Sequence, residues 1–260
     1  MAFMSNFVRR FLKKFDVGIV RYSKITRLEE KLKTIDDFEL LLALPIEHAS
    51  AFVKYLPRST SQLRQDLFVL SQVNFKRNGF FVEFGATDGV SLSNSYLLEK
   101  EFGWDGILAE PARCWHQALQ TNRHVHIEKN CVWKYSASTL TFNEVKDAEF
   151  STIDIYSKAD VHRDTRRTRS IYDVETISLN DLLAKHNAPA EIDYLSIDTE
   201  GSEFDILENF DFSLYSFRVI TCEHNFTPMR LKLHELLTKN GYIRKFESIS
   251  KFDDWYVRAG

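Results

Sequence analysis

Hydrophobic positions along the chain change period near residue 79. Before it, apolar residues recur at helical spacing: Phe3, Phe7, Phe11 and Phe15 come every four residues with Val8 and Leu12 beside them, one stripe of a helix. Residues 28 to 75 keep a helical texture with mixed charge. After it, short apolar runs alternate with amphipathic segments. Phe80–Phe84, Gly106–Ala109, Val125–Ile127, Ile192–Ile197 and Arg218–Cys222 read as strands, and Thr139–Phe142 as an extra one. The stretch from there to Ile171 reads as irregular. Helices are expected around Ser93–Phe102, after Pro111, over Ser178–His186 with Ser178 as N-cap, and over Met229–Lys239, where Asn240-Gly241 stops it. Tyr242–Phe246 and Trp255–Arg258 are close enough to pair as a hairpin. Strands alternating with helices imply a mainly parallel sheet covered on both faces, into which the hairpin inserts one antiparallel strand. The expected division is a helical lead-in or cap over 1–75 and an α/β domain over 76–260.

Composition narrows the class. With 260 residues, 44% hydrophobic and 27% charged, the chain can bury a sizeable core and is unlike a disordered one. A net charge of −3 offers no general attraction to nucleic acid, so no nucleic-acid partner is expected. Cys114, Cys131 and Cys222 are far apart, with no metal or redox spacing. That fits a reducing cytoplasm. No apolar run is long enough to span a membrane, and Arg9, Arg10, Lys13 and Lys14 interrupt any secretory leader. The first 27 residues carry seven Lys/Arg against Asp16 alone. They suit either a helix resting peripherally on an anionic membrane face or a first helix packed on the domain, and the second is the commoner use of such a stripe.

The candidate chemistry lies at strand ends. Glu83-Phe84-Gly85-Ala86-Thr87-Asp88-Gly89 follows an apolar strand and precedes a helix. Glycine there lets backbone approach a ligand, and open α/β sheets bind ligands at this edge. The spacing is not the GxGxxG of a dinucleotide site, and Glu83 and Asp88 would repel a pyrophosphate while suiting an ammonium. This argues against a nicotinamide oxidoreductase. Glu110, before Pro111, ends the next strand 21 residues after Gly89, where an acid can accept bonds from two ribose hydroxyls. Cys131 and Val132 follow the third strand and are expected to line a purine pocket. Ile197-Asp198-Thr199-Glu200-Gly201-Ser202-Glu203 puts three carboxylates at another strand end.

With these on the page, Phe81–Gly89, Gly106–Pro111, Thr176–Leu183 and Asp193–Leu207 resemble the FkbM family of S-adenosylmethionine (SAM)-dependent O-methyltransferases, whose hallmark Asp-x-Glu-Gly-x-Glu is matched by Asp198–Glu203. The first strand reads Glu-Phe-Gly-Ala-Thr-Asp-Gly where many relatives have Asp-x-Gly-Ala-Asn-x-Gly. The resemblance runs from about Gly79 to the C-terminus. It implies a Rossmann-like class I methyltransferase fold with a mainly parallel seven-stranded sheet and a C-terminal antiparallel hairpin. It also implies SAM as methyl donor, with Glu83, Gly85 and Gly89 at the methionine end, Glu110 on the ribose and Asp198 beneath the methyl. The acceptor it implies is a hydroxyl, often on a sugar or natural product.

Acceptor chemistry needs a base or a metal. Glu223-His224-Asn225 ends the fifth strand beside Asp198. His224 is the expected general base, with Asp198 and Glu223 beside it. The same three could instead hold Mg²⁺ or Mn²⁺. Arg163, Arg166 and Arg167, within four arginines in seven residues, together with Glu200 and Asn225, are the expected acceptor contacts. They point to an anionic glycan, as in surface-polysaccharide assembly. A small natural product, another non-sugar acceptor or a non-catalytic binding module are the alternatives. Asn225-Phe226-Thr227-Pro228 is only faintly like the signature of amino-methylating enzymes and follows the wrong strand for it.

Overall fold

The computed structural model describes residues 22–145, 152–153 and 169–260. The chain divides after Leu40 into two units. The helix α1 (Tyr22–Ala43) accounts for the described part of the first. The phenylalanine stripe over residues 3–15 lies outside the described residues, as do its basic companions Arg9, Arg10, Lys13, Lys14 and Arg21. Among the described residues no helix is long and apolar enough to cross a membrane.

The larger unit is built on a seven-stranded sheet. Its strands are β1 (Phe80–Phe84), β2 (Asp105–Ala109), β3 (His126–Glu128), β8 (Glu191–Ile197), β9 (Ser216–Glu223), β10 (Tyr242–Lys245) and β11 (Asp253–Arg258). Their order is β3-β2-β1-β8-β9-β11-β10. The first five are mutually parallel, and β11 runs antiparallel between β9 and β10. This is the Rossmann-like class I methyltransferase fold expected from the sequence. Strand identity follows burial: Phe81 to Phe84 and Ile192 to Ile197 are buried without interruption, as parallel strands covered on both faces must be.

One face of the sheet packs Val82, Ile107, Leu195 and Ile220 against α6 (Leu179–Lys185), α7 (Glu203–Glu208) and α8 (Met229–Lys239) through Leu182, Leu183, Ile206, Leu207, Leu233 and Leu237. In α6 the Ser178 hydroxyl accepts from Asp181 N at 3.1 Å, so the expected N-cap is present. The short α2 (Ala49–Tyr55) leads to α3 (Gln65–Gln72), which is buried along nearly its whole length, and its Phe68 stacks on Trp255 at 4.7 Å.

Two elements differ from the sequence expectation. The helix α4 (Tyr96–Phe102) begins three residues later than Ser93, because Ser93, Asn94 and Ser95 are committed to Glu83 instead. The stretch read as irregular contains part of a second sheet, ordered β4-β7-β5-β6, with β4 (Cys131–Trp133), β5 (Thr139–Val145), β6 (Thr152–Ile153) and β7 (Arg169–Ser178). Strands β5 and β7 pair antiparallel over seven positions, a long-range pairing that alternation along one segment does not reveal. The helix α5 (His116–Asn122) connects β2 to β3 in the chain.

Candidate active site

The carboxyl ends of β1, β2, β8 and β9 open on one edge, and the loops there line a cavity. Its walls include Glu83, Gly85 and Thr87 from the glycine loop, Glu110 and Pro111 after β2, and Cys131 and Val132 on β4. Asp198, Thr199, Glu200 and Ser202 line it after β8.

Gly85 has φ +73°, and a β-carbon on it would lie 2.2 Å from the Asp198 carbonyl oxygen. No other residue fits there. Ala86, Asp88 and Gly89, expected at the cofactor, do not line the cavity. Asp88 ties its own turn, accepting from Val90 N at 2.8 Å and Ser91 N at 2.7 Å. Burial would raise its carboxyl, but these bonds and the Ser91 hydroxyl outweigh it and hold it below its ordinary range. Gly89, at φ +80°, is backed by Arg123, which donates to its carbonyl at 2.9 Å.

Glu83 is buried and accepts from Asn94 N at 2.7 Å, from the Ser93 hydroxyl at 3.0 Å and from the Ser95 hydroxyl. It therefore shapes the loop before α4 as well as lining the cavity. The same two serines receive the guanidinium of Arg123, at 3.1 Å and 2.9 Å, while its Nε donates to Glu99. Arg123 is fully buried over the rings of Phe81 and Tyr96. Nothing in the sequence around it signals this role.

Glu110 is buried. Its two carboxylate oxygens each accept a backbone N–H at 2.8 Å, from Thr87 and from Ala112. Burial pushes its carboxyl up to about 7, against the pull of those two bonds. Both oxygens retain a lone pair for further donors. Beside it, burial pushes the Cys131 thiol up to about 12, so it stays neutral and serves as apolar wall with Val132. Phe142 of the second sheet adds an aromatic side.

The acid loop after β8 is held by Glu203, whose Oε1 accepts from Thr199 N at 3.0 Å, Gly201 N at 2.9 Å and the Thr199 hydroxyl at 2.9 Å. Glu200 is forced to φ +58°. Carboxylate oxygens of Asp198, Glu200 and Glu223 come within 4.8 Å of one another. Burial, then the charges of Asp198 and Glu200, drive the Glu223 carboxyl far upward, and it hydrogen-bonds Asp198. Glu223 thus keeps its proton.

His224 does not join this group. It is buried on the wall of a second cavity, which shares Glu200 with the first and also includes Glu203, Phe204, Glu223, Asn225 and Met229. Its Nδ1 accepts from Phe226 N at 3.0 Å, and its Nε2 lies 3.9 Å from Asp254 Oδ1. Burial holds its pKa down although Asp254 opposes the shift. Asn225 lines that second cavity too and donates to Glu223 at 2.7 Å. The ligand set expected for Mg²⁺ or Mn²⁺ changes by one member: Glu200 stands where His224 was expected, beside Asp198 and Glu223. Three carboxylate oxygens at this spacing are the hard donors such a cation takes. Arg163, Arg166 and Arg167 lie outside the described residues.

The model of the methyltransferase FkbM domain matches residues 83–244, from Glu83 through the acid loop to β10. The chain belongs to the FkbM methyltransferase family. No curated protein matches the sequence. Among solved structures, this FkbM chain is similar to the methyltransferase FkbM of Methylobacillus flagellatus KT at 14% identity and a TM-score of 0.46, covering 86% of this chain and 58% of that one. It is also similar to the precorrin-6y C5,15-methyltransferase of Geobacter metallireducens GS-15 (11% identity, 69% and 71% covered, TM-score 0.37). A third is the TehB-like SAM-dependent methyltransferase of Corynebacterium glutamicum (8% identity, 82% and 97% covered, TM-score 0.39). The FkbM chain spans little more than half the length of the Methylobacillus protein.

The far side of the cavity went unnoticed in the sequence. Gln62, Gln65, Thr221, Phe252 and Asp253 complete its wall. They come from the segment before the first strand and from the C-terminal hairpin, far outside the glycine and acid motifs.

Proposed function

We propose that this FkbM protein transfers the methyl group of SAM to a hydroxyl of a sugar or glycan. One observation carries the acceptor class: the cavity wall also includes Gln62, Gln65, Thr221, Asp253 and Phe252. Amides, a hydroxyl and a carboxylate lining one cavity with an aromatic residue suit an acceptor rich in hydroxyl groups. The donor occupies the other end: Glu83 and Gly85 at the methionine moiety, Glu110 on the ribose, Cys131 and Val132 beside the adenine, and Asp198 near the sulfonium. A protonated Glu223 against Asp198 leaves negative charge close to that sulfonium without two repelling anions. Transfer requires the acceptor oxygen in line with the carbon–sulfur bond at about 3 to 3.5 Å, a geometry set by the two ends of one cavity. The arginines Arg163, Arg166 and Arg167 support an anionic acceptor. The absence of metal or redox cysteine spacing supports a cytoplasmic setting.

The test incubates the protein and methyl-tritiated SAM with methyl glycosides of glucose, mannose, galactose, rhamnose and glucuronic acid. Alkali-stable label in one of these sugars is the expected result, since an ether survives base and a uronate methyl ester does not. Calorimetric binding of SAM with no labelled sugar would overturn the acceptor class and favour a non-sugar hydroxyl. No SAM binding by folded protein would overturn the enzyme reading itself.

A further inference from the structure

Methyl transfer to an alcohol needs a proton acceptor on the acceptor side, and the cavity supplies few. Glu83 is fully engaged by backbone and hydroxyl donors. Glu110 belongs to the donor end, with both oxygens on backbone N–H groups. Asp198 and Glu223 are hydrogen-bonded to each other, and Glu200 crowds the same pair. His224 faces another cavity.

Asp253 is different. It opens β11, sits opposite Glu223 in the antiparallel register with β9, and lines the acceptor end of the cavity while being 5% exposed. Its Oδ2 accepts from Gln65 Nε2 at 2.8 Å and from Trp255 Nε1 at 3.4 Å. The Gln65 amide cannot turn over, because its Oε1 accepts from Leu63 N at 2.9 Å. Its NH₂ is therefore always the group offered to Asp253. Both donors fall on Oδ2, and no described residue donates to Oδ1.

Resting on the sugar hydroxyl reading above, we infer that Asp253 is the catalytic base of this enzyme, with Gln65 as its positioning residue. Oδ1 accepts the hydroxyl proton as a lone pair of the acceptor oxygen forms the new bond to the methyl carbon. The carbon–sulfur bond breaks and its electron pair stays on sulfur, giving the neutral thioether S-adenosylhomocysteine (SAH). Asp253 then releases the proton to water. Gln65 holds the carboxylate plane so that Oδ1 keeps one direction throughout.

The electrostatics agree with this geometry. Burial pushes the Asp253 carboxyl up to about 7; the Gln65 bond opposes this, and the charges of Asp198 and the adjacent Asp254 add to it. Glu223, its register partner on β9, is protonated and adds little charge. A base near neutrality is matched to abstraction at neutral pH.

The experiment uses the 260-residue protein, SAM and whichever glycoside of the panel is labelled. Asp253→Asn is expected to lower kcat by about 100-fold or more while SAH affinity by calorimetry stays within about threefold. Gln65→Leu removes a bond that favours the charged carboxylate. It should lower kcat less, by about tenfold, and move the acidic limb of the kcat–pH profile to higher pH. A residue that only supports the fold would change melting temperature and leave that limb in place. Wild-type kcat in Asp253→Asn, or an unmoved limb in Gln65→Leu, overturns the assignment and leaves the sugar reading standing. A panel in which wild type labels nothing overturns the reading, and the assignment falls with it.

Discussion

Gly85 and Asp198 lie backbone against backbone: a β-carbon on the glycine would stand 2.2 Å from the Asp198 carbonyl oxygen. Two motifs separated by more than a hundred residues thus form a single wall, each fixing where the other can be.

Gly85→Ala is therefore expected to damage the donor site beyond the backbone strain of its φ of +73°. Strain plus displacement of the acid loop amounts to about 2 kcal/mol or more. Calorimetry should show SAH affinity lowered by about 30-fold. Wild-type affinity in this variant would contradict the contact.

Arg123 gives the second expectation. Its buried guanidinium joins Gly89, Ser93, Ser95 and Glu99. Arg123→Met takes one partner from Glu99, which keeps Lys100 and His124 N, and a donor from two hydroxyls, so the expected loss is about 1 to 3 kcal/mol. Arg123→Lys keeps the charge but only part of the fork, so urea unfolding should place it between wild type and the methionine variant. Equal midpoints for all three would refute the keystone role.

His224 offers a direct contrast between motif and structure. As a base its loss would lower kcat by 100-fold or more. Turned toward Phe226 N and Asp254, it acts on the loop alone. His224→Asn retains an acceptor for the Phe226 N–H, and its kcat on the labelled glycoside should stay within about threefold of wild type. A drop of two orders of magnitude in folded protein would return the histidine to the chemistry.

Protonation links the site to stability. Glu110 and Asp253 have ordinary values of 4.5 and 3.8, and burial raises each to about 7 in the fold. Between those values the folded state binds more protons than the unfolded one, so stability falls as pH rises. The contribution is complete below about pH 4 and gone above about pH 7, on the order of 3 to 4 kcal/mol for each group at most. Glu99 and Asp254, whose carboxyls are held low, titrate mostly below this window. Asp253→Asn keeps an acceptor for Gln65 and removes one share of the slope. Its ligand-free melting temperature should match wild type near pH 4.5 and exceed it at pH 8. A variant less stable than wild type at pH 8 would contradict the raised carboxyl.

The sequence by itself determined the sheet, the glycine loop, Glu110 and the acid loop, since each is written in contiguous residues. Uninterrupted apolar runs mark parallel strands, a glycine after a strand marks a close approach, and Asp198–Glu203 is a motif in one stretch. Met229–Lys239 was legible for the same reason, through its period and its Asn-Gly stop. What required several distant segments was hidden. The pairing of β5 with β7, the Arg123 clamp and the meeting of Gln65 with Asp253, 188 residues apart, leave no local pattern because their energy comes from contacts made only after folding. His224 shows the same limit from the other side. Its place at a strand end was readable, but the direction of its ring is set by a backbone N–H two residues on. Sequence located the edge where a donor and an acceptor can meet. Tertiary structure decided which side chains face that edge, because orientation depends on partners that the chain brings together from far away.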